Sequence, residues 1–406
     1  MPVGGQRDPE QTRAALVDWL GRQVPGARQI EIENLVVPQS TGFSNETFLF
    51  DASWSEGPSG PSERNAMGPS GPSERKAMGP SGPSERNAMG PSGPSERRES
   101  GDTQRAEFVL RAQPQVWAVF PEIDVINQQY RTMKILGEHS DVPVANVRWA
   151  EPGRDVLGTP FFVMDRLHGN VPGDRPPYTV EGWFLDLADE ERRALNIDGL
   201  TAMTKVNRVD WRSLDFDYLD RREYGPLGRA QRLGYFDKYW QWARAGNPHP
   251  VADPAWDYLR ENWPDDEPVE LCWGDARPGN QMYADGRVVA VMDWEMVSLG
   301  NAVSDLGWWL FLQRFHTDGT GVALPGGMLR RDETIALWED RVGRRAEHVD
   351  FYEIVAGFHF TLVMMRIVGM FKELDPQSYS PGGDIYNPVS MLTAGLLGID
   401  LPVPSR

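Results

Sequence analysis

Cysteine is almost absent: Cys272 stands alone in 406 residues. No intrachain disulfide can form, which fits a reducing cytoplasm and leaves packing to hold the fold. Its place in an apolar run, Val269 to Trp273, reads as a packed small residue. Basic residues are also short, 41 Lys and Arg against 59 Asp and Glu, for a net charge of −18. Nucleic-acid backbones are gripped by clustered Lys and Arg, so a nucleic-acid partner is excluded. The six histidines show neither an HExxH motif nor a paired spacing, so zinc has no support. Met1 to Asp8 lacks the apolar centre of a signal peptide. The most apolar late segment, Ile354 to Phe371, is interrupted by His359, Arg366 and two glycines. It reads as a core helix, with no membrane partner. The expected location is the cytoplasm. Oligomeric state is not legible. The length suffices for two lobes around a sizeable core. The acidity is compatible with a cationic small-molecule partner, though it more often supplies solubility.

What is present is a dense motif. Trp273-Gly-Asp-Ala-Arg-Pro-Gly-Asn280 is followed by Val291-Met-Asp-Trp-Glu295. Asp275 precedes Asn280 by the spacing of a kinase catalytic loop. There the Asp orients and takes the proton of an attacking hydroxyl, and the Asn and a later Asp hold Mg²⁺. Gln281 to Tyr283 and Arg287 to Met292 read as strands flanking Asp285-Gly286, a strong hairpin signal. A turn there sets Ala284 opposite Arg287 and Asn280 opposite Val291, so Asn280 and Asp293 share the hairpin's open end. Two oxygen ligands beside Asp275 suit Mg²⁺, which completes its shell with water and phosphate. Singly, Asp275 and Asn280 could cap a turn and Asp293 a helix. Together, at these offsets, they point to phosphoryl chemistry.

Trp273-Gly-Asp275 with Asn280, then Met292-Asp-Trp-Glu295, then Leu299 to Trp308 with Asp305 resembles the aminoglycoside phosphotransferase family. That family shares a fold with choline kinases and, distantly, protein kinases. The likeness is closest to the branch similar to the kinase-like domain attached to some acyl-CoA dehydrogenases. Two departures stand out. Trp273 replaces a His that usually tethers backbone, and Asn301-Ala302 replaces Asp-Pro.

The resemblance implies a two-lobed α+β kinase-like fold. A small antiparallel-sheet lobe over 1–168 would bind nucleotide, and a larger helical lobe over 169–406 would hold the catalytic and acceptor sites. It implies ATP- or GTP-dependent transfer of the γ-phosphoryl group to a hydroxyl of a small molecule. Asp275 would act on that hydroxyl, and Asn280 and Asp293 would hold Mg²⁺. Ser44 and Asn45, in a small-residue loop between two strands, would approach the phosphates. Arg111, on the strand Glu107 to Arg111, would stand for the usual phosphate-binding Lys. It reads equally as a strand-end surface arginine. The usual partner Glu is missing: the helix Ile126 to Leu136 offers Gln128 or Gln129, and Glu122 is the nearby substitute. In the expected hinge, Phe162, Val163 and Met164 are candidates to line the base pocket, with core packing the competing reading.

Elsewhere the reading is coarser. Asp8-Pro9-Glu10 starts a helix ending near Gly21. Ile30 to Val37 and Glu46 to Asp51 read as strands. Residues 57–97 repeat Gly-Pro-Ser-Gly-Pro-Ser-Glu-Arg with a period of eleven. This composition cannot offset ordering entropy, so a disordered insertion is expected. Helices are expected over Leu185 to Leu195 and Tyr235 to Ala245, and through most of 303–400. Asp215, Asp217 and Asp220 could bind a cationic sugar but more readily face water. Asp305 is expected to cap its helix and brace the catalytic loop. A competing function is a nucleotide-binding pseudokinase used for interaction, motivated by Arg111, Gln129 and Trp273.

Overall fold

The computed structural model describes residues 7–36, 45–56, 103–265 and 267–401. Ser44 and the 57–97 repeat lie outside them.

Asp8 caps the first helix as expected, its carboxylate accepting from the Glu10 and Gln11 amides at 2.9 and 3.2 Å. Helix α1 (Pro9–Gln23) buries Leu16, Trp19 and Leu20 on one face. Strands β1 (Ala27–Val36), β2 (Glu46–Glu56) and β3 (Thr103–Ala112) follow. A π-helical turn, Val125–Tyr130, leads into α2 (Arg131–His139), so the expected single helix is two pieces. Strands β4 (Val147–Glu151) and β5 (Phe161–Asp165) complete an antiparallel sheet of order β1-β2-β3-β5-β4. β2 and β3 run longer than their apolar cores because they pair without interruption from Glu46↔Ala112 to Ser55↔Thr103.

Strand alternation divides this sheet between two environments. Leu110, Ala112, Phe161 and Val163 join Trp19 in a core under α1, with Trp19 and Phe161 ring centroids 4.8 Å apart. Val109, Arg111, Phe162 and Met164 face the other way, toward the rest of the chain. The crossing segment after β5 stays tied to both parts. The Arg166 amide donates to the Glu107 carbonyl at 3.0 Å, and Asn170 exchanges backbone bonds with Tyr283 at 2.8 Å each way.

The remainder is mostly helical. It comprises α3 (Trp183–Asp186), α4 (Asp189–Asn207), α5 (Arg229–Arg244) and α6 (Ala252–Asn262), then short strands β6 (Glu270–Cys272), β7 (Gln281–Ala284), β8 (Arg287–Val291) and β9 (Ser298–Gly300). Helices α7 (Val303–His316), α8 (Arg331–Val342), α9 (Val349–Leu374) and α10 (Pro388–Leu397) end it. The expected helix at 185–195 is broken at Leu187-Ala188, where Glu191 accepts from the Ala188 amide at 3.2 Å and starts α4. Helix α9 has the length and composition to cross a membrane, yet 61% of its apolar window is buried among its neighbours. It packs on α5, α6, α7 and α10 as a core helix. Gly307 permits one of these close approaches: a Cβ there would lie 2.6 Å from the Tyr352 carbonyl.

The β7–β8 hairpin forms at Asp285-Gly286, both at positive φ, with Ala284 opposite Arg287. The register beyond differs from expectation. A bulge between Tyr283↔Val288 and Met282↔Ala290 shifts the ladder by one residue, so Gln281, rather than Asn280, opposes Val291. Asn280 instead accepts from the Met292 amide at 2.9 Å, which still leaves it beside Asp293.

Candidate active site

β6 pairs with β9, fixing the entry to the loop that carries Asp275. Gly274 then turns with φ 94°, and a Cβ there would collide with the Met296 carbonyl. The loop is braced from α7. Asp305 accepts from the Trp273 and Gly274 amides, each at 2.8 Å, and from the Asn207 side chain at 2.7 Å. Burial raises its pKa to about 6 against the pull of those donors. The expected brace is present, but the expected cap is not: Ala302 occupies the N-cap position and no side chain caps α7. Asp305 sits inside the first turn of α7, and its carboxylate is used by the loop. Trp273 ties the same loop to the far strand, its indole N–H donating to the Met292 carbonyl at 2.8 Å. The residue replacing the usual His thus still tethers backbone.

Asp275 is held on both oxygens. Oδ1 accepts from Trp308 Nε1 at 2.8 Å and Arg277 Nε at 3.1 Å, and Oδ2 accepts from Asn280 Nδ2 at 2.6 Å. Its side chain is only 13% exposed. Burial raises its proton affinity above that of an ordinary aspartate; Arg277 pulls it back and the Asp293 carboxylate raises it again. Arg277 is itself clamped, with Nη1 2.7 and 2.6 Å from the two Asp174 oxygens.

Asp293 adopts left-handed backbone, φ 58°, a conformation that non-glycine residues hold only when their surroundings impose it. Its Oδ1 accepts from Arg111 Nη2 at 2.8 Å, with both side chains less than a fifth exposed. Arg111 is therefore no surface arginine. The Glu122 expected as its substitute partner is engaged elsewhere, by Lys238 and by Arg221 at 3.5 Å. Gln129, at the position of the missing Glu, donates to Asn45 Oδ1 at 3.4 Å. Asn45 in turn donates to Glu295 at 2.6 Å.

Between the sheet and the hairpin lies a cavity of about 350 Å³, lined by Val109, Arg111, Phe162, Met164, Met292 and Asp293 among others. Apolar walls with one charged end suit a nucleotide's base and phosphates. Val163 is a correction: strand alternation sends its fully buried side chain into the core under α1, away from this cavity. Asn280 donates through its amide nitrogen, leaving the amide oxygen without a donor among the described residues. With Asp293 it offers oxygen donors alone, which fits a hard divalent cation such as Mg²⁺. Asp215 pairs with Arg131 at 2.7 Å and Asp220 with Arg222 at 3.0 Å. Neither these two nor Asp217 lines the nucleotide-sized cavity.

Three contributors escaped the sequence reading: Arg277, Asp174 and Trp308. Two had a signal. Arg277 lies within the motif itself, and Trp308 follows Asp305 by three residues, so both face the loop from one side of α7. Asp174 lies 103 residues from Arg277 and had none.

Comparison with known proteins bears on the family and the fold. The profile of the Phosphotransferase enzyme family matches residues 95–341. The probable acyl-CoA dehydrogenase IBR3 of Arabidopsis thaliana is 26% identical over 212 residues, 50% of this chain and 24% of that protein. Acyl-CoA dehydrogenase family member 11 of Mus musculus is 28% identical over 204 residues, 49% of this chain and 24% of that protein. The match thus spans about a quarter of the length of these curated relatives. Among solved structures, a putative aminoglycoside phosphotransferase from Ralstonia eutropha superposes with a TM-score of 0.61 at 20% identity, covering 95% of this chain and 98% of that one. At that identity the likeness shows the α+β kinase-like fold.

Proposed function

The chain belongs to the phosphotransferase enzyme family, and from that premise we propose that it transfers the γ-phosphoryl group of ATP, or GTP, to a hydroxyl on a small molecule. The observation that carries this reading is Asp275, fixed on both oxygens at the mouth of the hairpin that bears Asn280 and Asp293. Asp275 takes the acceptor's proton as the new P–O bond forms and the bond to the nucleoside diphosphate breaks. Such general-base help is typically worth ~10²–10⁴ in rate. The bonds from Trp308, Arg277 and Asn280 set the carboxylate's angle before the acceptor arrives, so no reorganisation is needed at the moment of reaction. Asn280 and Asp293 would hold Mg²⁺, which neutralises charge on the phosphates when bound. Arg111 stands at the same end of the cavity, where its guanidinium is positioned to grip phosphate oxygens.

The pseudokinase reading draws on Gln129 in place of a carboxylate. Against it, Arg111 has a carboxylate partner in Asp293, and the metal-suited oxygens are kept. Calorimetric titration of ATP, with and without Mg²⁺, into the wild type and Asp293→Ala tests the proposal. Mg²⁺-dependent binding should vanish in the variant. A wild type that binds neither ATP nor GTP would end the reading.

A further inference from the structure

A second cavity is lined by Trp308, whose indole also reaches Asp275. It measures about 60 Å³, room for a headgroup rather than a whole molecule. Gly274, Met296 and Trp308 bring it against the catalytic loop, while α5 and α9 contribute Arg232, Tyr235 and His359. Trp308 links it to the base, its indole N–H on Asp275 Oδ1 at 2.8 Å and its ring 5.4 Å from the His359 ring, centroid to centroid.

Three polar groups here are left wanting. Arg232 makes one hydrogen bond, Nη1 to Ser298 Oγ at 3.2 Å, and has no carboxylate partner among the described residues. His359 is 6% exposed, and its Nε2 is buried without a hydrogen-bond partner. Burial keeps that ring neutral, with its pKa lowered to about 3. The Tyr235 hydroxyl has no hydrogen bond among the described residues. The neighbouring carboxylates are engaged elsewhere, although buried Asp305 still feels the Arg232 charge. Glu122 is held by Lys238 and Arg221, Glu295 by Asn45, and Asp305 by the backbone of the catalytic loop. The Arg232 guanidinium instead lies 5.0 Å from the Phe236 ring centroid and 5.8 Å from that of Tyr235. Aromatic faces hold such a cation in place without neutralising it.

The Arg232 guanidinium makes no ion pair with a carboxylate among the described residues, so an arriving anion would be its first direct counter-ion. We propose that this cavity receives an oxyanion, a carboxylate or a phosphate, carried at one end of the phosphoryl acceptor, with Arg232 as its counter-ion and Tyr235 as a second donor. The acceptor's apolar middle passes Trp308 and Met296, and its hydroxyl reaches Asp275. This reverses the cationic partner that the chain's net charge of −18 allows, because the local charges that matter are already paired off. Naming the ligand an acceptor rests on the phosphotransferase reading; binding of an oxyanion at Arg232 does not.

The test therefore separates binding from turnover. Hydroxylated aliphatic carboxylates, the matching phosphate monoesters, their methyl esters and amino alcohols of equal length are titrated calorimetrically into the whole chain, with and without ATP and Mg²⁺. ADP release is followed in parallel. The expected result is binding of the anionic series alone, with Arg232→Gln weakening it about tenfold or more and Arg232→Lys recovering part of it. KM for the acid should rise far more than kcat falls. Carboxylates outbinding phosphate esters, or the reverse, identifies the headgroup. Should Arg232→Gln fail to fold, Tyr235→Phe removes the second donor while keeping the ring, and weaker anion binding is again expected. Preference for amino alcohols or methyl esters, or anion binding untouched in these variants, overturns the inference and leaves the phosphotransferase reading standing. Anion binding without any nucleotide binding sinks that reading and keeps the oxyanion site.

Discussion

The catalytic loop and the sheet-side cavity are built to different standards. In the catalytic loop, each key carboxylate is held by three donors: Asp275 by Trp308, Arg277 and Asn280, and Asp305 by Trp273, Gly274 and Asn207. The cavity against the sheet is faced by apolar Val109, Phe162 and Met164, with Arg111 beside them. The sequence departs from its family's pattern on both sides. Arg for Lys and Gln for Glu fall on the sheet side, where Arg111 finds its carboxylate in Asp293. The loop side tolerates Trp273 for His because the indole N–H still reaches the Met292 carbonyl. Catalytic geometry demands sub-ångström placement, which a network of directed hydrogen bonds gives and apolar contact does not.

That contrast can be broken by substitution, and the largest effect belongs to the base. Asp275→Ala should cut turnover by ~10²–10⁴ while ATP affinity, measured by calorimetry, stays near wild type. An equal loss of affinity would mean that the loop also shapes the sheet-side site. Next is the brace. Asp305→Ala strips acceptors from buried amides of Trp273 and Gly274, at a cost of ~2–4 kcal/mol in denaturant unfolding. On the sheet side, Phe162→Ala should weaken ATP binding with little change in kcat, and its packing loss of ~3–5 kcal/mol sets an upper bound because one face borders the cavity. The smallest effect is a shift along the pH axis. As the proposed base, Asp275 would work only when ionised, so kcat should fall with acidification, and its raised pKa places that limb above the ordinary aspartate range. Arg277 lowers this pKa, so Arg277→Gln should move the acid limb to higher pH. An unmoved limb would remove Asp275 from the titration.

The readable part of this site was the local part. Asp285-Gly286 announces its turn, and the motif spacing brings Asp275, Asn280 and Asp293 together whatever surrounds them. The one-residue slip at Val291 was hidden, because a bulge adds a residue without changing the apolar pattern. Val163 was misplaced for a related reason. A strand buried on both faces reads as a continuous apolar run, so sequence alone does not say which side chains meet the ligand. Asp305 looked like a cap because acids in a first helical turn commonly are. Only the fold shows two amides from 31 and 32 residues earlier waiting for its carboxylate. Arg277 and Asp174 meet across 103 residues, and no pattern in either neighbourhood announces the pair.

Helix α7 carries both Asp305 and Trp308, and Gly307 between them lets it press against α9. The loop's alignment is thus inherited from a helix outside it, one residue braced on its backbone and another on its working carboxylate. An engineer grafting this loop onto a different scaffold would move the sequence and lose the aim. The transplantable part is the loop together with α7, seated on a partner helix that accepts it as closely as α9 does.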